Sequence, residues 1–121
     1  MSTVITNITE FNDPDHWMGF MITISDPAKN ITAKIENAHK CCEKWGVYTN
    51  RETIREFIGA EYSFIDIRGV RRKKYDEMVS VDIHIHTNRG KLTLHFYNEH
   101  NGYYSHDVYI QSEHGHRYIT L

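Results

Sequence analysis

Cysteine is scarce: the chain has two, Cys41 and Cys42, adjacent in the sequence. Neighbouring cysteines would make a strained mutual disulfide that closes no useful loop, so free thiols are expected. Proline is equally rare, with Pro14 in "NDPD" and Pro27 in "SDPA", both turn contexts, and no Pro, Gly or Ser tract marks a linker. No apolar run approaches the roughly 18 residues needed to cross a bilayer. The opening "MSTVITNITEFND" also lacks the basic and apolar regions of a secretory signal, so a soluble, cytoplasmic chain is expected. Charge of one sign is missing too: 14 Lys and Arg against 16 Asp and Glu give −2 with histidine neutral. That balance argues against a general electrostatic grip on nucleic acid or anionic membrane. At 121 residues without a linker, one domain over 1–121 is expected, large enough for its own core.

What is present is alternation. "WMGFMITI" (17–24) is mostly apolar, and after a turn at Asp26 and Pro27, "NITAKIE" places Ile31, Ala33 and Ile35 on one side, which predicts a β-hairpin. A short helix is predicted next. Asn50 is placed to cap it, Glu52 lies near its positive end, Ile54, Phe57 and Ile58 form one stripe, and Gly59 supplies a stop. "EYSFIDI" returns to strand character, and "GVRRKKYD" reads as a solvated connection. From Val79 onward the apolar residues alternate through Val81, Ile83 and Ile85, then Leu92, Leu94 and Phe96, then Val108 and Ile110. The expected fold class is α+β: a mostly antiparallel sheet of about six or seven strands with one short helix.

Five of the nine histidines fall in "VDIHIHTNRGKLTLHFYNEHNGYYSHDV" (81–108). Matching the apolar sets on either side of "NRG" puts Ile85 opposite Leu94 and Ile83 opposite Phe96, with His84 opposite His95 on the reverse face. His84, His86 and His95 would then cluster in an arrangement able to hold zinc with an open fourth position. The competing reading is ordinary polar occupancy of an outward sheet face. "HKCCEKW" groups His39, Cys41, Cys42 and Glu43, either as metal or thiol chemistry or as small buried thiols beneath Trp45. Arg71, Arg72, Lys73 and Lys74 read either as a solvated loop or as a phosphate contact. Tyr97, Tyr103, Tyr104, Tyr109 and Tyr118 offer stacking surfaces.

Three stretches together, "KIENAHKCCEKWGVYT", "EFIGAE" and "TNRGKLTLHFYNEHNGYYSHDV", resemble a small domain of unknown function found in phage and giant-virus genomes. The positions that carry the likeness are Cys41, Cys42, Glu43, Ile58, Gly59, Asn101, Gly102, Tyr103, Tyr104 and Ser105, and it extends over roughly residues 17 to 110. The resemblance implies a viral setting and brings no activity with it; His84, His86 and His95 lie outside its pattern. By analogy of size and class with viral sponges, including the Thoeris anti-defence type, the expectation is a non-enzymatic, homo-oligomeric protein that sequesters a small anionic ligand. A cyclic or ADP-ribose-type nucleotide signal is the expected example. Its expected binding residues are Arg71, Arg72, Arg89, Tyr97, Asn101, Gly102, Tyr103, Tyr104 and Arg117: arginines for phosphate, tyrosines for a base, and an Asn-Gly loop for close approach. Two alternatives stand beside it. One is a zinc-dependent hydrolase using His84, His86 and His95 with Glu99 or Asp82 as base; the other is a protein-interaction module.

Overall fold

Alternating apolar residues place every second side chain on one face, which suits a strand half-buried against a core. The computed structural model describes residues 3–13, 15–36, 44–50, 53–72, 77–99 and 106–121. Among these are nine strands: β1 (Ile5–Asp13), β2 (Trp17–Ile24), β3 (Ile31–Glu36), β4 (Lys44–Thr49), β5 (Tyr62–Arg72), β6 (Glu77–Thr87), β7 (Gly90–Glu99), β8 (Asp107–Ser112) and β9 (Gly115–Thr120). They form a five-stranded sheet ordered β1-β2-β3-β8-β9 and a four-stranded sheet ordered β4-β7-β6-β5, with every pairing antiparallel. Phe20, Ile22, Ile31, Ala33, Ile35, Val108 and Ile110 from the first sheet join Val81, Ile83, Ile85, Leu92, Leu94 and Phe96 from the second in one buried cluster. The two inner faces thus share a single core, as in a β-sandwich.

The expected α+β class is overturned. Among the described residues there is no α-helix, only 3-10 turns at Pro27–Lys29 and Ile54–Phe57, and no helix long and apolar enough to cross a membrane. The helix expected from Asn50 to Gly59 gives way to contacts with distant strands. Asn50, assigned as its cap, instead bonds to β7: its Oδ1 accepts from Thr93 N at 2.8 Å and its Nδ2 donates to Lys91 O at 3.0 Å. One turn remains, burying Phe57. Arg89 Nη1 donates to the carbonyls of Glu56 and Ile58 at 2.7 and 3.0 Å, and Gly59 N donates to Ile5 O at 2.7 Å, so the segment's backbone groups are satisfied without a helix.

The expected hairpin of β2 and β3 forms, with Phe20 opposite Ala33 and Ile22 opposite Ile31. The solvated connection expected over "GVRRKKYD" is strand in its first half: β5 runs to Arg72, and Arg71 and Arg72 pair with Met78 and Glu77, while residues 73–76, with Lys73 and Lys74, lie outside the described residues. Three further strands appear: β1 and β9 at the edges of the larger sheet and β4 at an edge of the smaller one.

Candidate functional site

Val81, Ile83 and Ile85 point into the core, so Asp82, His84 and His86 point out, and the same parity on β7 sends Thr93, His95 and Tyr97 to the same outer face. The expected side for His84, His86 and His95 is therefore correct, whereas the expected partners are not. Thr87 pairs with Gly90, Ile85 with Leu92 and Ile83 with Leu94, which leaves His84 opposite Thr93 and His95 opposite Asp82. The turn is Asn88–Arg89. The Thr87 hydroxyl fixes it, donating to Gly90 O at 2.7 Å and accepting from Arg89 N at 3.0 Å, and Gly90 takes φ +108°, a conformation glycine adopts freely. Moving a turn by one residue shifts every cross-strand partner by two, which preserves faces and changes neighbours.

The consequence is three engaged imidazoles. His95 Nδ1 donates to the Asp82 carboxylate, and its ring forms a three-ring cluster with Tyr48 (centroids 4.5 Å) and Tyr97 (6.1 Å). His84 Nδ1 and the Thr93 hydroxyl share a 2.9 Å hydrogen bond. Burial, and secondarily the Lys91 ammonium, hold its pKa below the usual imidazole value. His86 stacks on Phe64 at 4.0 Å and 12°, with its Nε2 buried and unpartnered among the described residues. The rings of His84 and His86 lie edge-on, 6.5 Å between centroids. Among the described residues no three His, Cys, Asp or Glu side chains are grouped so as to hold a metal ion. On β5, Asp66 lies opposite His84, and its Oδ2 accepts from Arg68 Nε at 3.1 Å. That guanidinium holds the Asp66 carboxyl below its ordinary range.

A second feature lies where the sheets' edges meet. A cleft of about 300 Å³ opens between β5, the edge of the smaller sheet, and the β8–β9 hairpin at the edge of the larger one. That volume is at the lower end for small-molecule sites. Its floor is Ile65, Ile67 and Ile110; its rim is Asp66, Ser112, His114, Gly115, His116 and Arg117. The hairpin is held over β5 by Tyr62, whose hydroxyl donates to Glu113 Oε1 at 2.9 Å. Burial first, then the Glu113 carboxylate, pushes the Tyr62 phenol well above its usual range. Gly115 at φ +100° closes the turn, with nothing within 4 Å of a would-be Cβ. Among the described residues Arg117 has no carboxylate partner, in contrast to Arg68.

The expected ligand residues are thus dispersed. Arg117 lines the cleft. Tyr97 lies on the outer face of the smaller sheet, 5.6 Å from Tyr48, and Arg89 is committed to the 54–57 turn. Arg71 and Arg72 end β5 beyond the cleft residues Ile65 to Ile67. Asn101, Gly102, Tyr103 and Tyr104 lie outside the described residues, as do His39, Cys41, Cys42 and Glu43. Trp45 stacks on His106 at 4.9 Å. Sequence reading missed Ser112, His114 and His116. The available signal was "SEHGHR", two histidines and an arginine within four residues around a glycine.

No curated protein and no solved structure is found to match the chain. The model of one family does match, over residues 3–110. The chain belongs to that family, the Domain of unknown function (DUF7448).

Proposed function

We propose that this domain is a non-enzymatic binding protein that takes a small phosphate-bearing anion in the cleft between β5 and the β8–β9 hairpin. The observation that carries the reading is Arg117: a permanently charged guanidinium without a carboxylate partner among the described residues, on the rim of an apolar-floored cleft beside Ser112, His114 and His116. Arginine matches phosphate with paired donors, and the serine hydroxyl and imidazoles add hydrogen-bonding capacity. Supporting binding over zinc hydrolysis is the spacing of the titratable side chains: among the described residues no three His, Cys, Asp or Glu are grouped so as to hold a metal ion. In the viral setting that the resemblance implies, such a domain acts as a sponge for nucleotide immune signals.

Calorimetric titration of the whole chain with inorganic phosphate, pyrophosphate and a panel of signalling nucleotides tests this. At least one phosphate compound binds, and Arg117→Ala weakens it about 10- to 100-fold, the worth of one charge-assisted hydrogen bond of about 1.5–3 kcal/mol. Flat titrations throughout, or full affinity in the variant, overturn the proposal.

A further inference from the structure

We infer that the cleft continues over the edge strand β5 onto a ledge made of Phe64 and Asp66, and that this ledge takes a nucleoside, making the ligand a nucleotide rather than a bare phosphate or sugar phosphate. The inference rests on the anion reading of the cleft and adds residues to it. Asp66 is the shared element: it lines the cleft, and it lies on the outer face of the smaller sheet, two residues from Phe64 on the same side of β5. Same-face neighbours along a strand are about 6.6 Å apart, a step that a ribose between base and phosphate can bridge.

The chemistry is ordered along that line. Phe64 is a large apolar side chain that remains 51% exposed. His86 covers one face of its ring, nearly parallel at 4.0 Å, so the exposure belongs to the opposite face and the edge. A ring fixed from behind and open in front is a stacking platform for a base. Asp66 comes next. Its Oδ2 accepts the Arg68 bond, while Oδ1 has no partner among the described residues and is a free acceptor for a ribose hydroxyl, the use carboxylates serve in dinucleotide-binding folds. Arg117 stands beyond, across the cleft. On the β5 side the Asp66 and Arg68 charges offset each other, whereas Arg117 has no carboxylate partner among the described residues, so phosphate is favoured at Arg117 and one orientation is set: base on Phe64, sugar at Asp66, phosphate at Arg117.

NMR titrations of the full chain with AMP, ribose 5-phosphate and inorganic phosphate test the order, each variant's fold being checked by retention of the wild-type amide spectrum. AMP binds tighter than ribose 5-phosphate. Phe64→Ala weakens AMP about fivefold to a hundredfold, the range of one lost base stack, and leaves ribose 5-phosphate unchanged. Asp66→Asn weakens both ribose compounds but not inorganic phosphate, and Arg117→Ala weakens all three. If phosphate compounds bind but AMP has no advantage over ribose 5-phosphate, or Phe64→Ala leaves their ratio unchanged, the nucleoside ledge is wrong and the anion cleft stands. If none of the three binds, the ledge is wrong, and a flat result across the wider phosphate panel removes the anion cleft as well.

Discussion

Glycine in the middle of a strand is ordinarily a weakness, and replacing it with alanine gains up to about 0.5–1 kcal/mol by restricting the unfolded chain. Gly19 is expected to behave in the opposite sense. It lies in β2 between Phe11 of β1 and Lys34 of β3. A Cβ built on it falls 2.1 Å from Ala33 O, 2.5 Å from Lys34 Cα and 2.8 Å from Lys34 Cβ. The first two are backbone atoms in the strand that β2 pairs with, so no side-chain rotation relieves the overlap. The ladder must open by about an ångström at its middle, between Met18–Ile35 and Phe20–Ala33. Overpacking costs about 1–3 kcal/mol where side chains can adjust. With a backbone obstacle the cost passes that range to about 4 kcal/mol, and the unfolded-chain gain offsets up to about 1 kcal/mol of it, giving a net loss of about 3 kcal/mol. At about 2.1 cal/mol/K per residue the unfolding entropy of this chain is about 0.25 kcal/mol/K, so the midpoint falls by about 12 °C. Thermal unfolding followed by circular dichroism measures it, with Gly115→Ala as the comparison. Gly115 has φ +100° and open space around it, so its substitution carries only the left-handed penalty of about 1–2 kcal/mol, or about 4–8 °C. A Gly19→Ala protein as stable as wild type, or less affected than Gly115→Ala, refutes the close-approach argument.

Two further outcomes follow from the same geometry. Tyr62→Phe keeps the buried ring and removes the donor to Glu113; it lowers stability by about 1–2 kcal/mol and weakens anion binding by loosening the hairpin that forms one cleft wall, and an unchanged urea midpoint contradicts this. His84 titrates below its usual value because it is partly desolvated and faces Lys91. As pH falls below about 6.5 the unfolded chain therefore takes up a proton before the folded one, and stability declines until the lowered folded pKa is passed. His84→Gln makes the fall in urea midpoint between pH 7 and pH 5 shallower, whereas an identical slope in both proteins shows that His84 does not contribute.

The face that each residue of β6 and β7 presents is readable from the chain itself, because Val81, Ile83, Ile85, Leu92, Leu94 and Phe96 must all turn inward together and strand geometry then sends Asp82, His84, His86, His95 and Tyr97 outward. The hairpin of β2 and β3 is readable for the same local reason. Cross-strand partners are not, since a one-residue displacement of the turn at Asn88–Arg89 preserves every face while replacing His84–His95 with His84–Thr93 and His95–Asp82. The stripe Ile54, Phe57, Ile58 fits a helix as well as a single 3-10 turn, and the choice fell to Asn50 and Arg89, whose hydrogen bonds reach residues up to 43 positions away. β1 escaped notice because an edge strand buries little: only Ile5 and Ile8 of its nine residues are buried. Alternation, a property of neighbouring residues, determined which side chains meet water and which meet the core. Tertiary structure alone decided that there are two sheets and that Asp66 and Arg117 border one cleft, because pairing and edge contact depend on chain segments far apart in sequence, where no local period reaches.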